Sequence, residues 1–215
     1  MATQTTAHRA ALVAPTSFEQ LAGLCGITTG IAGLCGITTG IAGFMYAVAF
    51  LLLRNNLLSA LFLLLAGLLS TAPLVALYSR LRETDVGFAL WALLLSIAGA
   101  LGSVIHGGYD LATTLHPVAS AALPSPIDPR GLLTFGLAGL GLGAFAWLIG
   151  LSRHFPRGLG YLGYLLALLL VVLYLARLLV VDVKSPAVVL PAVVSGFLIN
   201  PAWYIWLGLV LWRRA

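Results

Sequence analysis

An all-α bundle of membrane-spanning helices, about six of them, is the fold class this sequence predicts, and three observations carry the prediction. Of 215 residues, 61% are hydrophobic and only 8% charged, where an ordinary soluble domain carries about 25% charged residues. The apolar residues fall in runs of about twenty or more, the length a helix needs to cross a hydrocarbon core of about 30 Å. The ionisable residues, six acids and eleven bases, sit between or at the ends of those runs. So few charges cannot clothe a water-soluble body of this size, so lipid is the expected solvent and the expected partner.

The chain opens with a polar tail, residues 1–17, and the remainder, 18–215, reads as one transmembrane domain. The tail carries no charged start followed by a short apolar stretch and a small-residue cleavage site, so the first span is expected to be retained. That span is over-long, 18–53, and ends before Arg54-Asn55-Asn56. The second is expected over 57–78, before SRLRETD, and the third over 86–109. A stretch with prolines at 117, 124, 126 and 129 follows; proline removes a backbone donor and breaks helices, so this reads as loop. The fourth span covers 132–151, SRHFPRG ends it, and the fifth covers 159–180. VDVKSP separates the sixth, 187–212.

Loop charge orients the bundle. Arg9, Arg80, Arg82, Arg153, Arg157, Arg213 and Arg214 fall on one side, against Arg54, Arg130, Arg177 and Lys184 on the other. The excess of bases places both termini in the cytoplasm. Tyr161, Tyr164 and Trp212 stand where aromatic rings anchor at the headgroups. The net charge of +5 and pI near 9.6 come without the basic, aromatic-rich cluster that nucleic-acid binding requires, so no nucleic-acid partner is expected.

The first span contains a verbatim tandem repeat, LCGITTGIAG at 24–33 and again at 34–43. With both copies the segment is roughly 54 Å long as helix, more than a tilted crossing needs. Either several turns project beyond the bilayer or the segment bends. Each copy holds a Gly-x-x-x-Gly step, Gly26 to Gly30 and Gly36 to Gly40, and the fourth span holds another, Gly139 to Gly143. Small residues four apart let helix backbones approach closely, within the chain or between copies of it. Ten residues at about 100° each fall about 80° short of whole turns, so the two copies offer faces a quarter-turn apart. Cys25 and Cys35 occupy equivalent positions of the copies, and their spacing is not that of a metal site. GLGLGAF in the fourth span lacks the preceding strand of a dinucleotide loop. No cofactor and no metal is implied.

Three polar features interrupt the apolar background. His106 and Asp110 share a helix face at a separation of four, with His116 beyond them. They read either as a hydrogen-bonded pair capping the third span or as a catalytic or metal-binding group. Ser70, Thr71 and Pro73 in span two, and Asn200 and Pro201 in span six, mark helix breaks whose freed carbonyls and hydroxyls either glue helices together or line a pocket, with Ser96 as a neighbour. Arg177 is the deepest base, expected to snorkel or to pair with Asp182.

HGGYDLA at the end of span three, and NPAWYIWLGLVLWRR at the end of the chain, resemble motifs of small bacterial multi-span membrane proteins grouped as a domain of unknown function. The resemblance covers the last two-thirds of the chain and implies a six-helix bundle in a bacterial inner membrane, with no activity attached.

Three functions follow. The first is a non-catalytic accessory, assembly or scaffolding component, acting through Gly-rich helix contacts as a homo-oligomer or within a larger membrane complex. The second is a small-solute or lipid transporter with a pocket near Asn200, Pro201, Ser70 and Pro73. The third is a metal-dependent membrane hydrolase built on His106, Asp110 and His116. Convergence of those three side chains, or a cavity at Asn200, separates the readings.

Overall fold

The structure, a computed structural model, describes residues 17–116, 132–180 and 185–213, and for 17–29 and Leu132 the backbone course alone. Six helices are long and apolar enough to cross a membrane, and the described residues contain no strand. The protein is an integral membrane protein of all-α fold.

Helix α1 runs from Ser17 to Ala47 and continues through one wider π-helical turn, Val48–Leu52. The doubled segment therefore forms one unbroken helix. Its end is set by Arg54, which adopts a positive φ of 49°, a left-handed conformation that carries no helix further. Asn55 then starts α2, Asn56–Leu81, by accepting the Leu58 N–H on its side-chain oxygen at 3.0 Å. Asp85 does the same for α3, Val86–Leu115, taking the Phe88 N–H at 2.9 Å. Such caps satisfy donors that a helix start leaves unpaired.

Helix α3 passes the expected end at Tyr109 and reaches Leu115. Through polar DLATTL the helix continues, with Thr113 and Thr114 turning their hydroxyls back onto the Tyr109 and Asp110 carbonyls. Helix α4 enters by a π-helical stretch, Leu132–Leu137, and proceeds over Ala138–Leu151. Helix α5 spans Arg157–Leu179 and α6 spans Pro186–Trp212. Within α6 the helix widens to π geometry over Ser195–Ile199, just before Pro201. Proline lacks the N–H for the regular ladder and its ring crowds the carbonyl four residues back, and a wider turn relieves both.

Each helix packs on its neighbours in the chain, and α1 closes the ring against α6. Glycine makes the tightest of these seams. Gly33 and Gly36 lie on the α6 backbone at Gly208, Gly40 lies on Pro201 and Ile205, and Gly43 lies under the Asn200 amide. Gly67 and Gly107 join α2 to α3, and Gly99, Gly102 and Gly141 join α3 to α4. Gly139 and Gly143 both face α5, at Ala167 and its neighbours.

The apolar core is not central along the bundle axis. Leu74, Leu77 and Leu81 of α2, Ala89 and Ala92 of α3, Phe145, Leu148 and Ile149 of α4, Leu159 and Leu166 of α5, and Trp203, Leu207 and Leu211 of α6 form one buried cluster. All lie toward the end of the bundle where α1 begins and α6 ends, the terminal end. The outer faces are apolar as well: Leu61, Leu68, Leu94, Ile105, Leu140, Leu168 and Leu198 are exposed. Such a girdle is costly in water and costless in hydrocarbon.

Candidate functional site

The half of the bundle away from the core is hollow. A cavity of about 660 Å³ runs along its axis, lined by all six helices, a size within the range of small-ligand sites. Its depth follows from the helices. The lining on α3 extends from Ser96 at the floor past Asp110 at the mouth, about 20 Å at a rise of ~1.5 Å per residue.

The floor is built from Thr39 of α1, Ser70 and Leu74 of α2, Ser96 of α3, Leu142 of α4, and Asn200 and Tyr204 of α6. Thr39, Ser70, Ser96 and Tyr204 are buried, and the Tyr204 phenol lies within hydrogen-bonding reach of the Ser70 hydroxyl. Asn200 reaches this level because Gly43 leaves room for its amide: a Cβ at Gly43 would stand 2.7 Å from Asn200 Nδ2. Above the floor lies an apolar belt that includes Leu63, Ala100, Phe135, Ala138, Leu173 and Ala192.

Charge is confined to the mouth. His106 Nε2 lies 3.2 Å from Asp110 Oδ2 across one turn of α3. Arg177 projects from α5 to the same level, with its guanidinium 6.0 Å from the centre of the Phe135 ring. Arg177 thus turns inward to the cavity; Asp182, its expected partner, lies outside the described residues. Tyr46, Asn56, Thr113 and Thr114 complete the rim.

The cavity hydroxyls share one habit. Thr39 donates to the Cys35 carbonyl at 2.6 Å, Ser70 to Gly67 at 2.7 Å, Ser59 to Asn56 at 3.0 Å, Ser195 to Ala192 at 3.2 Å and Ser103 to Gly99 at 3.4 Å. Thr113 and Thr114 also donate to carbonyls of their own helix. Each proton is committed to the backbone, so the free lone pairs are what these side chains offer the cavity. Two further buried hydroxyls of lining residues, Ser96 and Thr134, have no hydrogen-bond partner among the described residues, and neither has His106 Nδ1.

Of the residues singled out from sequence, Ser70, Ser96, Asn200, His106 and Asp110 lie on the cavity wall. Thr71, Pro73 and Pro201 do not: Thr71 bonds back to the Leu68 carbonyl at 2.7 Å, and both prolines are buried between helices. His116 is exposed at the C-terminal end of α3, away from the lining. Among the described residues no three His, Cys, Asp or Glu side chains gather to hold a metal. Gly36, Gly40, Gly139 and Gly143 are engaged within the chain. Gly30 is half-buried in α1, and the surroundings of Gly26 and Cys25 lie outside the described residues.

Sequence reasoning did not single out Thr39, Tyr46, Ser103, Thr134 or Tyr204 as lining. One signal was present: Ser96, Gly99, Ser103, His106, Asp110 and Thr113 follow each other in steps of three and four, a polar stripe along one face of α3. Thr39 and Tyr204 carry no such mark, because their inward aim depends on how α1 and α6 dock.

Compared with known proteins, the chain matches no family model, no curated protein and no solved structure.

Proposed function

We propose that this protein is a membrane carrier of a small solute, held in this conformation with its cavity open at the end opposite the termini and closed at the other. The observation that supports the reading is the cavity itself, reaching from a charged rim to a polar floor at Asn200, Ser70 and Tyr204. At the level of the floor α6 stays helical but widens to π geometry ahead of Pro201, an irregularity that a spanning helix tolerates where it lines a cavity. The basic excess on the loops at the terminal end orients that end to the cytoplasm. The cavity then faces outward, and the resemblance of HGGYDLA and the C-terminal segment to uncharacterised bacterial proteins suggests an inner membrane. The scaffolding reading has less support, since Gly36, Gly40, Gly139 and Gly143 pack against helices of the same chain rather than standing on the surface.

The test is sided accessibility. In a background with Cys25→Ala and Cys35→Ala, Ser103→Cys and Asn200→Cys are placed in vesicles of each orientation and exposed to a neutral, impermeant sugar-linked methanethiosulfonate. A carrier gives fast labelling from the open end at both positions. It also gives slower labelling of Asn200→Cys from the terminal end, because the floor must be reached from both sides during a cycle. Labelling from one end alone describes a receptor; labelling at neither position from either end removes the cavity reading.

A further inference from the structure

We infer that the solute is an uncharged, hydrogen-bond-donating molecule of the polyol, sugar or carboxamide class, and that any ionic group it carries is retained at the mouth. The inference rests on the carrier reading and deepens it.

The floor shows what kind of group can rest there. Its polar atoms are the hydroxyls of Thr39, Ser70 and Ser96, the Tyr204 phenol and the Asn200 amide, and none of them carries a charge. Among the described residues, every charged side chain on the lining, Asp110 and Arg177, and the one histidine, His106, belongs to the rim. An ion moved from the rim to the floor would leave water and both rim charges and meet no countercharge. Burial of an uncompensated charge at that depth is costly. A neutral group carries no such cost, provided its hydrogen bonds are made.

The pattern of donors and acceptors narrows the class further. Thr39 and Ser70 at the floor, and Ser103 and Ser195 above it, have committed their protons to carbonyls of their own helices. What remains is an array of lone pairs, which selects a partner rich in O–H or N–H groups. A hydrocarbon chain would leave all of them unpaired, so a lipid tail is a poor occupant of the floor. The belt of Leu63, Phe135 and Leu173 gives the apolar surface against which the carbon skeleton of such a solute rests.

The experiment uses the full chain purified in detergent, in the Cys25→Ala, Cys35→Ala background. Single cysteines stand at the rim (Thr114→Cys), mid-cavity (Ser103→Cys) and the floor (Asn200→Cys). Each is titrated with three methanethiosulfonates of similar size: hydroxyethyl, sulfonatoethyl and trimethylammonioethyl. At the rim all three should react at comparable rates. At the floor the neutral reagent should react while both charged ones fall behind it by roughly a hundredfold, the factor that corresponds to about 2.7 kcal/mol. Comparable floor rates for the sulfonate or the ammonium reagent would overturn the inference and leave the carrier reading standing, with an ion as solute. Reaction at the rim and none at Ser103→Cys or Asn200→Cys would instead remove the cavity on which both rest. Mid-cavity labelling provides the control if Asn200→Cys does not fold, since the neutral preference should already be visible, though smaller, at Ser103→Cys.

Discussion

Each buried hydroxyl on the cavity wall has one proton to place, and where it goes decides what a substitution does. Ser96 and Thr134 find no acceptor for theirs among the described residues. A buried, unsatisfied polar group costs about 1–3 kcal/mol, so removing it should stabilise the solute-free protein. Ser96→Ala and Thr134→Val are expected to raise the melting temperature in detergent, each by the equivalent of about 1 kcal/mol. Ser70→Ala has the opposite sign. It deletes a 2.7 Å bond to the Gly67 carbonyl and the contact with the Tyr204 phenol, and should cost about 1 kcal/mol in the same assay. A rise with Ser70→Ala, or a fall with Ser96→Ala, would mean that the hydroxyl assignments are reversed.

The same distinction applies between whole helices, where glycine rather than hydroxyl sets the terms. A Cβ on Gly208 would stand 2.6 Å from the Gly33 carbonyl and 2.7 Å from the Ile37 nitrogen, both backbone, while one on Gly150 meets nothing within 4 Å. Gly208→Ala should therefore force α1 away from α6 and cost about 1–3 kcal/mol. Gly150→Ala should gain about 0.5–1 kcal/mol from helix propensity alone. Thermal unfolding of the two variants side by side measures the seam against its control. The repeat yields to the same reasoning. Deleting residues 24–33 leaves LAGLCGITTGIAGFMY, in which Gly23 takes the place of Gly33 and the α6-facing glycines all keep their order. The shortened protein should fold with an unchanged melting temperature, and a large loss would show that the extra turns of α1 are needed. The sequence reports the over-length of α1 plainly, because run length is a one-dimensional property. It could not report which copy meets α6, because the copies are identical and only docking tells them apart. Likewise the sequence does not show that α3 runs on to Leu115, because Thr113 and Thr114, polar in a list, keep their hydroxyls occupied on carbonyls of their own helix.

At the scale of the molecule, two surfaces are apolar for different reasons: the packed cluster at the terminal end and the girdle facing outward. The five tryptophans sample both. Trp203 is fully buried in the cluster, in edge contact with Tyr204 at 4.9 Å, whereas Trp91, Trp147, Trp206 and Trp212 are all more than a third exposed on the outer faces. Their surroundings differ in a way that composition cannot reveal, since helices this apolar all round show little sidedness in sequence and the inward face is fixed only by packing. If lipid is the solvent, phospholipids brominated along their acyl chains should quench the four outer tryptophans on contact and leave Trp203 bright. Replacing Trp203 by Phe should then remove most of the fluorescence that survives bromination, while Trp147→Phe should lower the quenchable part and leave the surviving part unchanged. A second copy of the chain docked over α4 would shield Trp147, 55% exposed in the isolated chain, and the Trp147→Phe variant would then alter the protected fraction instead. The experiment therefore separates a monomer solvated by lipid from an assembly that covers this face, and it does so without knowledge of the solute. Trp203 has a further bearing on the carrier. It adjoins the floor residue Tyr204 and belongs with Phe145 and Leu207 to the packed cluster that closes the terminal end, so a cycle that opens that end must move it. A solute that drives the cycle should bring Trp203 within reach of an aqueous quencher such as iodide, from the terminal side only.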